Sequence, residues 1–513
     1  MSPASIPDNH AAFRRLVRRA ELALARGSLE SAAVSAQVAA TFAWFNHPGV
    51  FASAGLERLL HRIGHALPTV GRAPERLAAV HVATQVYPTG GHTQSLLKWL
   101  EHDPESPVAV VVTGQGAVPL PPGLESALAG RGHLHLLDRH HDRLTDRALA
   151  LRALAATDRV FLHIHPNDVV APLAFPTPHL GDLRVFFIDH ADHVFWIGTE
   201  VADYVLNLRS SGAELCRTRR GIHQDRHRLL LRPLDTRPRS LSREEAKRRL
   251  GIPESTLTLV TAAAGTKYEP IDGIGFLDLV APALVGAGMQ LLAAGPSPAG
   301  AWQALAEQGS GRALGLLPDV HELLCAADVY IDSYPFSSLT SMLEAGSLGV
   351  PVITLRPDGP EPSVLGADTP ELDPVLLTAG SVRELVDVLA SLAEPAARAR
   401  LGEQTAAGIA AAHADGVWLR SLHESTGPGP RHLPPGHWVE ADPEQGTLDR
   451  RLALVQQQTG LGQGELGAAL LNAPLLPPLE RVRLLGSGAG VRAFASAQRL
   501  RQLRAAREYL RNR

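Results

Sequence analysis

Cysteine is nearly absent: the 513 residues carry two, Cys216 and Cys325, far apart and without metal-binding or redox spacing. A disulfide-stapled scaffold is excluded, and a reducing compartment, the cytoplasm, is the expected setting. The chain also lacks an uncharged apolar run of about 18 residues, so no membrane span is expected. The opening stretch, MSPASIPDNHAAFRRLV, has no apolar core behind a basic start, so no secretory signal is expected. Excess positive charge is missing too. Lys and Arg number 49 against 52 Asp and Glu, a net charge of -3, which argues against a nucleic-acid partner held on a basic surface. What is present is 45% hydrophobic and 20% charged residues, a globular composition long enough for two or three domains. The abundance of Ala, Arg, Gly and Pro reads as genomic bias, not chemistry.

Residues 1–75 have helical periodicity. FRRLVRRAELALARG stops at Gly27, and SLESAAVSAQVAATFAWF opens on Ser28, a candidate N-cap. The pair is similar to one tetratricopeptide hairpin, but no second copy follows, so a helical cap is expected and not a solenoid. From residue 76 to 235, strand-like runs (LAAVHVATQVY, PVAVVVTG, RVFLHIH, LRVFFIDH, DYVLNLR) are separated by helical or loop segments. The polar stretch LDTRPRSLSREEAKR reads as a linker into a second alternating series over 236–424: TLTLVTAAAG, MQLLAAG, DVYIDSYP and VPVITL, with helices between. Residues 425–513 form an extension, loop-like at GPGPRHLPPGHW and ending in an arginine-rich helix, either solvated or a partner contact. The expected fold class is α/β: two doubly wound Rossmann-like domains facing a cleft, the GT-B architecture, with a helical cap and a helical tail. Architecture alone does not fix chemistry.

The segment IDSYPFSSLTSMLEAGSLGVPVITL carries the strongest chemical signal. Asp332 closes a strand, a loop of small hydroxyl residues follows, and a helix starts near Leu339 to Ser341. Free N–H groups and the dipole of a helix N-terminus suit phosphate oxygens. Ser338, Thr340 and Ser341 add hydroxyls, and Glu344, a turn further on, is placed to accept ribose hydroxyls. The competing reading is an ordinary strand–loop–helix with Ser and Thr as caps. Upstream, TLVTAAAGTKYEP ends a strand with Lys267, a cation placed to offset charge on a departing diphosphate, or else a solvated surface lysine.

Asp332 through Pro351 resembles, without a gap, the donor segment of protein O-GlcNAc transferases and the related cytoplasmic N-glycosyltransferases. Thr340 and Ser341 fall on the family's Thr-Thr pair, Glu344 on an aspartate and Pro351 on the proline of Gly-x-Pro. Leu339 stands where the family has a histidine, so one diphosphate contact is missing. The resemblance places Lys267 on the family's diphosphate-binding lysine. It also puts a nucleobase-bracketing loop at Asp319, Val320 and His321. Retaining enzymes of related fold carry a pair of glutamates here; one would fall at Glu344, but the other position is Phe336, which favours inversion.

In the first half, PTGGHTQSLL follows the first strand. Gly90 and Gly91 permit close backbone approach, and His92 lies near a loop histidine of the same family, as a base or as an acceptor-positioning group. His163, His165, Asp168, Asp189, His190, Asp192 and His193 cluster at strand ends. His-x-His with His-x-x-His invites a metal reading. The alternatives are acceptor activation, with Asp192 and His193 as candidates, and a satisfied polar core. Strand alternation puts His163 and His165 on one face, and Trp196 suits either a sugar platform or the core.

These features give an expected glycosyltransferase using a nucleotide-diphosphate sugar, UDP-linked, as co-substrate, with no metal cofactor and no nucleic-acid partner. The resemblance implies a protein side-chain acceptor, although the family's long repeat array is missing, so a glycan or small-molecule acceptor stays open. The expected catalytic set is His92, Asp192, His193 and Lys267; the donor-binding set is Gly90, Gly91, Lys267, His321, Ser338, Leu339, Thr340, Ser341 and Glu344. The alternatives are a nucleotide-sugar epimerase and a non-catalytic domain that binds a nucleotide-sugar or a partner. Oligomeric state is not legible.

Overall fold

A computed structural model describes residues 5–88, 91–176, 182–234, 236–359, 363–427, 442–459, 462–477 and 481–482. Gly90 and the expected arginine-rich terminal helix lie outside these residues. The chain forms two compact units. The first comprises Met1–Leu208, Gly212–Leu230 and His423–Arg513; the second comprises Arg209–Ser211 and Leu231–Leu422.

The first unit is built on a 7-stranded sheet of order β3-β2-β1-β4-β5-β6-β7. Its strands are β1 (Ala79–Ala83), β2 (Val108–Val112), β3 (Gly132–Leu136), β4 (Arg159–His163), β5 (Arg184–Asp189), β6 (Tyr204–Asn207) and β7 (His227–Leu229). The second unit holds a 6-stranded sheet of order β10-β9-β8-β11-β12-β13. Here the strands are β8 (Leu257–Ala262), β9 (Met289–Ala294), β10 (Gly311–Gly315), β11 (Val329–Ile331), β12 (Val352–Leu355) and β13 (Leu377–Ala379). Every pairing is parallel. Parallel strands need helical crossovers, which cover both faces, so interior strands read as continuous apolar runs. Leu259 and Val260 show this: neighbours on β8, they enter separate cores on opposite faces of the sheet. The strands that the apolar pattern does not mark, β3, β7, β10 and β13, are the four sheet edges. One flank of an edge strand is unpaired, so it needs no such run.

In each sheet the chain reverses direction of winding once, between β1 and β4 and between β8 and β11. Adjacent crossovers leave to opposite sides there, which opens a crevice at the carboxyl ends of those strands.

The N-terminal cap is three helices, Ile6–Ala25, Leu29–Phe45 and Ala54–Ala66, one more than the hairpin expected. Ser5 and Asp8 form a capping box on the first. Ser28 stands at the N-cap of the second, but its hydroxyl donates to the Ser31 hydroxyl at 2.8 Å and accepts no bond from the helix backbone. The second helix is alanine-rich and buried on nearly all sides, in one core with Val80 and Val82 of β1 and Ala468 of the helix Gly464–Leu471. The C-terminal segment is therefore part of the first unit's core. No helix among the described residues is long and apolar enough to cross a membrane.

That segment is latched by a buried ion network. Asp449, on the helix Thr447–Thr459, accepts from His47 Nε2 at 2.8 Å and from Arg219 at 2.8 Å. Both His47 and Asp449 side chains are at most 1% exposed. Burial pushes the Asp449 carboxyl up, but the His47 and Arg219 hydrogen bonds outweigh it and hold it below the ordinary carboxylate range. Its contribution is thus present near neutral pH and is lost as pH falls below that range. Asp449→Asn should destabilise the first unit by about 3–5 kcal/mol, because it leaves Arg219 without its buried countercharge. Urea unfolding checks this; a change under about 1 kcal/mol would mean that the network is dispensable to the latch.

Candidate functional site

Each unit carries some of its sequence-flagged residues just beyond the strands that flank its reversal of winding: Lys267 after β8 and Thr340 after β11, His92 after β1 and His165 after β4. In the second unit, Lys267 follows β8 on a short 3-10 turn, Gly265–Tyr268. The turn packs directly on the backbone of Gly295, where any Cβ would collide with the carbonyl of Ala263; its φ of 107° also favours glycine. From there the Lys267 ammonium crosses to the loop after β11, donating to the Ser337 carbonyl at 2.7 Å. It lies 4.7 Å from the centre of the Phe336 ring. Burial pushes its pKa down to about 8; Asp332 opposes the shift, and the cations of Arg232 and Arg209 add to it.

Asp332 is the keystone of that loop. Its carboxylate accepts from the Ser338 N–H at 2.8 Å, the Ser338 hydroxyl at 2.6 Å and the Ser337 hydroxyl at 2.5 Å. Burial raises its pKa against these bonds and against Lys267. Ser338 is therefore turned inward, also meeting the Tyr330 hydroxyl at 2.9 Å, and braces the loop where the sequence suggested a phosphate donor. Leu339 is likewise inward: 6% exposed, in the core, and at a φ of 48° that side-chain-bearing residues rarely adopt.

The helix Thr340–Ser347 then begins, with Thr340, Ser341 and Glu344 all partly exposed. It is seated close to the helix Pro395–His413 at Gly346, where a Cβ would come within 2.6 Å of Ile409. Arg232 donates to the Thr340 hydroxyl at 2.9 Å. Arg209 donates to the Val364 carbonyl at 2.6 Å. Neither arginine carries a motif, and the only signal for them is charge near a linker. His321 heads a separate short helix, its N–H donating to Asp319, which pairs with Arg237 at 3.0 Å.

In the first unit, Gly91 opens the helix Gly91–His102, and His92 sits in its first turn, after β1. Its Nε2 meets the carbonyl of His163, the last residue of β4, at 2.7 Å. A carbonyl only accepts, so Nε2 carries the proton and Nδ1 keeps its lone pair. Nδ1 is buried and has no hydrogen-bond partner among the described residues. Burial pulls the His92 pKa below its ordinary value, so the ring is neutral at pH 7. Around it stand His190, with ring centres 4.4 Å apart, and His165, at 5.9 Å. His165 also faces Tyr87 at 6.0 Å and Trp44 of the second cap helix at 5.7 Å. These five rings are all partly exposed. Trp44 and Tyr87 carry no motif either.

The remaining flagged residues go elsewhere. β4 ends at His163, so alternation does not extend to His165. The His163 ring turns into the core and bonds His81 at 3.1 Å. Asp168 ties two strand ends together, accepting from Thr84 at 2.7 Å and from Thr113. Asp189 accepts from Cys216 at 3.2 Å. Asp192 is 3% exposed and abuts Gly212, where a Cβ would lie 2.7 Å from its carboxylate; His193 Nδ1 is 3.5 Å from that carboxylate. Trp196 is a core residue, 1% exposed and stacked on Phe187 at 4.1 Å. The histidines do not converge as ligands. Among the described residues, the group with ligand atoms within 4.8 Å of one another is Asp103, Glu105 and His423.

No protein-family model matches the sequence, and no curated protein matches it. Solved structures do match. A glycosyltransferase from Rickettsia africae aligns with a TM-score of 0.53 at 12% identity, over 68% of this chain and 97% of that one. HepE from Anabaena, solved with UDP and glucose, aligns at 0.50 and 12% identity, over 68% and 99%. An O-GlcNAc transferase from Thermobaculum terrenum aligns at 0.50 and 15% identity, over 87% and 85%. The chain has the GT-B fold. At such identities the likeness is one of fold, shared by glycosyltransferases. Within this GT-B chain, the two sheets and the helical regions at both ends accord with the architecture expected from the alternating runs.

Proposed function

We propose that this chain is a nucleotide-sugar-dependent glycosyltransferase that inverts the anomeric centre, with UDP as the nucleotide and a protein side chain as the acceptor. The observation that carries the reading is the second unit's crevice, where Lys267 and Arg232 meet the N-terminal end of a helix whose first residues are partly exposed hydroxyls. Fixed cations and helix N–H groups there offset the charge that a diphosphate gains as it leaves. In the first unit, the candidate base is His92, a neutral imidazole whose Nδ1 keeps its lone pair and has no hydrogen-bond partner among the described residues. The acceptor oxygen or nitrogen attacks the anomeric carbon, the bond to the diphosphate oxygen breaks, and the acceptor proton passes to Nδ1. A single displacement of this kind inverts configuration. We favour His92 over Asp192, which is packed against Gly212. The UDP and protein-acceptor readings rest on the resemblance of Asp332–Pro351 to protein O-GlcNAc transferases. Two free, buried cysteines support a cytoplasmic setting.

No divalent ion is required on this reading, because the positive charge is supplied by side chains. Incubation with UDP-sugars should give slow donor hydrolysis without acceptor, unchanged by a chelator. Activity lost in chelator and restored by a divalent ion would overturn the metal-independent mechanism. Diphosphate binding with no turnover of any donor would instead favour a non-catalytic sugar-nucleotide-binding domain, a role that Leu339 in place of the family histidine permits.

A further inference from the structure

The third cap helix, Ala54–Ala66, carries two histidines about one helical turn apart, His61 and His65. Positions i and i+4 share a helix face, so the two side chains can meet. They do: the Nε2 atoms are 3.2 Å apart and the ring centres 4.3 Å apart. Both residues are partly exposed. As a bare pair, one ring donates an Nε2–H to the other. The same spacing suits a metal ion. An ion that bonds imidazole nitrogen at about 2.0–2.1 Å holds two such nitrogens about 2.9 Å apart at a right angle and about 3.4 Å apart at the tetrahedral angle. The observed separation lies between the two, so neither ring has to move far.

The helix that sets this spacing is held at both ends. Near its start, Glu57 accepts from the N–H groups of Gly198 at 2.7 Å and Thr199 at 3.1 Å. Along its inner face, Leu56, Leu59, Leu60 and Ile63 are at most 1% exposed. In its last turn, Gly64 sits against Leu173, where a Cβ would lie 2.8 Å from the Leu173 carbonyl oxygen. Arg152 ties that turn down, donating to the carbonyls of Gly64 and Leu173 at 3.0 Å each. Little ordering is therefore left for an ion to impose. His65 stands in the last turn, the partially negative end of the helix, where a cation is stabilised. It lines a cavity of about 150 Å³ with Thr69, Arg152 and Leu183, which is room for water to complete a two-ligand site. Arg58 and Arg62 on the helix, and Arg72 beside the cavity, oppose a cation, but all three are exposed, where solvent and salt screen them.

We propose that His61 and His65 form a two-imidazole chelate for a divalent transition-metal ion of the zinc class, with water filling its remaining positions. Imidazole suits such ions, whereas Mg²⁺ and Ca²⁺ prefer oxygen. On binding, the ring that donated its Nε2 proton takes the Nδ1–H tautomer, so both Nε2 lone pairs serve the ion and a neutral pair releases no net proton. Ala155 and Leu183, in the cavity wall, precede β4 and β5, so the site lies toward the amino ends of those strands, away from the crevice at the carboxyl ends. The ion is thus a clasp on the last turn of the cap, compatible with sugar transfer that needs no metal.

The test is calorimetric titration of Zn²⁺ into the full, untagged chain, wild type, His61→Ala, His65→Ala and His423→Ala, with thermal midpoints with and without Zn²⁺. Each of His61→Ala and His65→Ala should weaken one Zn²⁺ site at least about 10-fold, the smallest loss typical even for removing a ligand's hydrogen-bonded support. His423→Ala, in the Asp103–Glu105–His423 group, should keep that site. Zn²⁺ should raise the wild-type midpoint, as a ligand of the folded state does, and raise it less in His61→Ala and His65→Ala. Should an alanine variant not fold, His61→Gln or His65→Gln takes its place with the same expected loss. Wild-type Zn²⁺ affinity and stoichiometry in folded variants of both histidines would overturn the proposal. Loss in only one of them would also overturn it, since a chelate needs both rings.

Discussion

Lys267→Ala is expected to lower turnover on the order of 100-fold to 1,000-fold, equivalent to about 3–4 kcal/mol of transition-state stabilisation. The ammonium contributes most as the glycosidic bond breaks, because charge then accumulates on the diphosphate oxygen. Its loss should therefore fall on kcat as well as on donor affinity. Lys267→Arg should recover only part, since the larger fork has to find room between the Ser337 carbonyl and the Phe336 ring. Those contacts also mean that the side chain is not a bare surface lysine, so a modest stability loss accompanies the Ala variant. A pH signature follows. With its pKa at about 8, the free lysine loses charge across mildly alkaline pH. A bound diphosphate favours the charged form, so UDP affinity should fall as pH rises past 8, and that dependence should vanish in Lys267→Ala. An unchanged UDP affinity in the Ala variant would remove Lys267 from the site.

His92→Gln should lower turnover about 100-fold to 10,000-fold, the range of a lost general base. Donor affinity, read by UDP binding, should stay near wild type, because His92 is assigned to the acceptor. In the wild type, the acid limb of kcat/KM should lie below pH 6.5, the ordinary imidazole value, since burial pulls the His92 pKa down. Asp192→Asn and His193→Gln are expected to act more weakly. If either of those abolishes turnover while His92→Gln is active, the base has been misassigned. His190→Ala offers a further check: it removes a ring 4.4 Å from His92 and should loosen the base without removing it.

How much of this was legible beforehand depends on whether a feature is local. The interior strands announce themselves, because a strand covered on both faces is a continuous apolar run, as in VAVVV of β2. Edge strands such as HRL of β7 have no such requirement and pass for loop. The helix Thr340–Ser347 and the lysine after β8 were legible because strand–loop–helix units bind anions through short, contiguous stretches. The hydroxyls were harder. Nothing in FSSLTS separates Ser338, consumed by Asp332, from Thr340, which meets Arg232.

By itself, then, the amino-acid order determined two successive α/β halves, the position of the helix that follows β11 in the second, and Lys267 and His92 as residues to watch. Spacing of apolar residues and of loop residues over a few turns is enough for these, since each depends on neighbours in the chain. Tertiary structure alone decided that the C-terminal segment closes over the first helices, and that Arg232 joins Lys267 although 35 positions separate them. It also turned His163 into the core while leaving Nδ1 of His92 without a hydrogen-bond partner among the described residues. The physical reason is common to all of them. Where a side chain points once its strand has ended, and which donor reaches a given acceptor first, is set by packing between segments remote in sequence, and no local pattern encodes that competition.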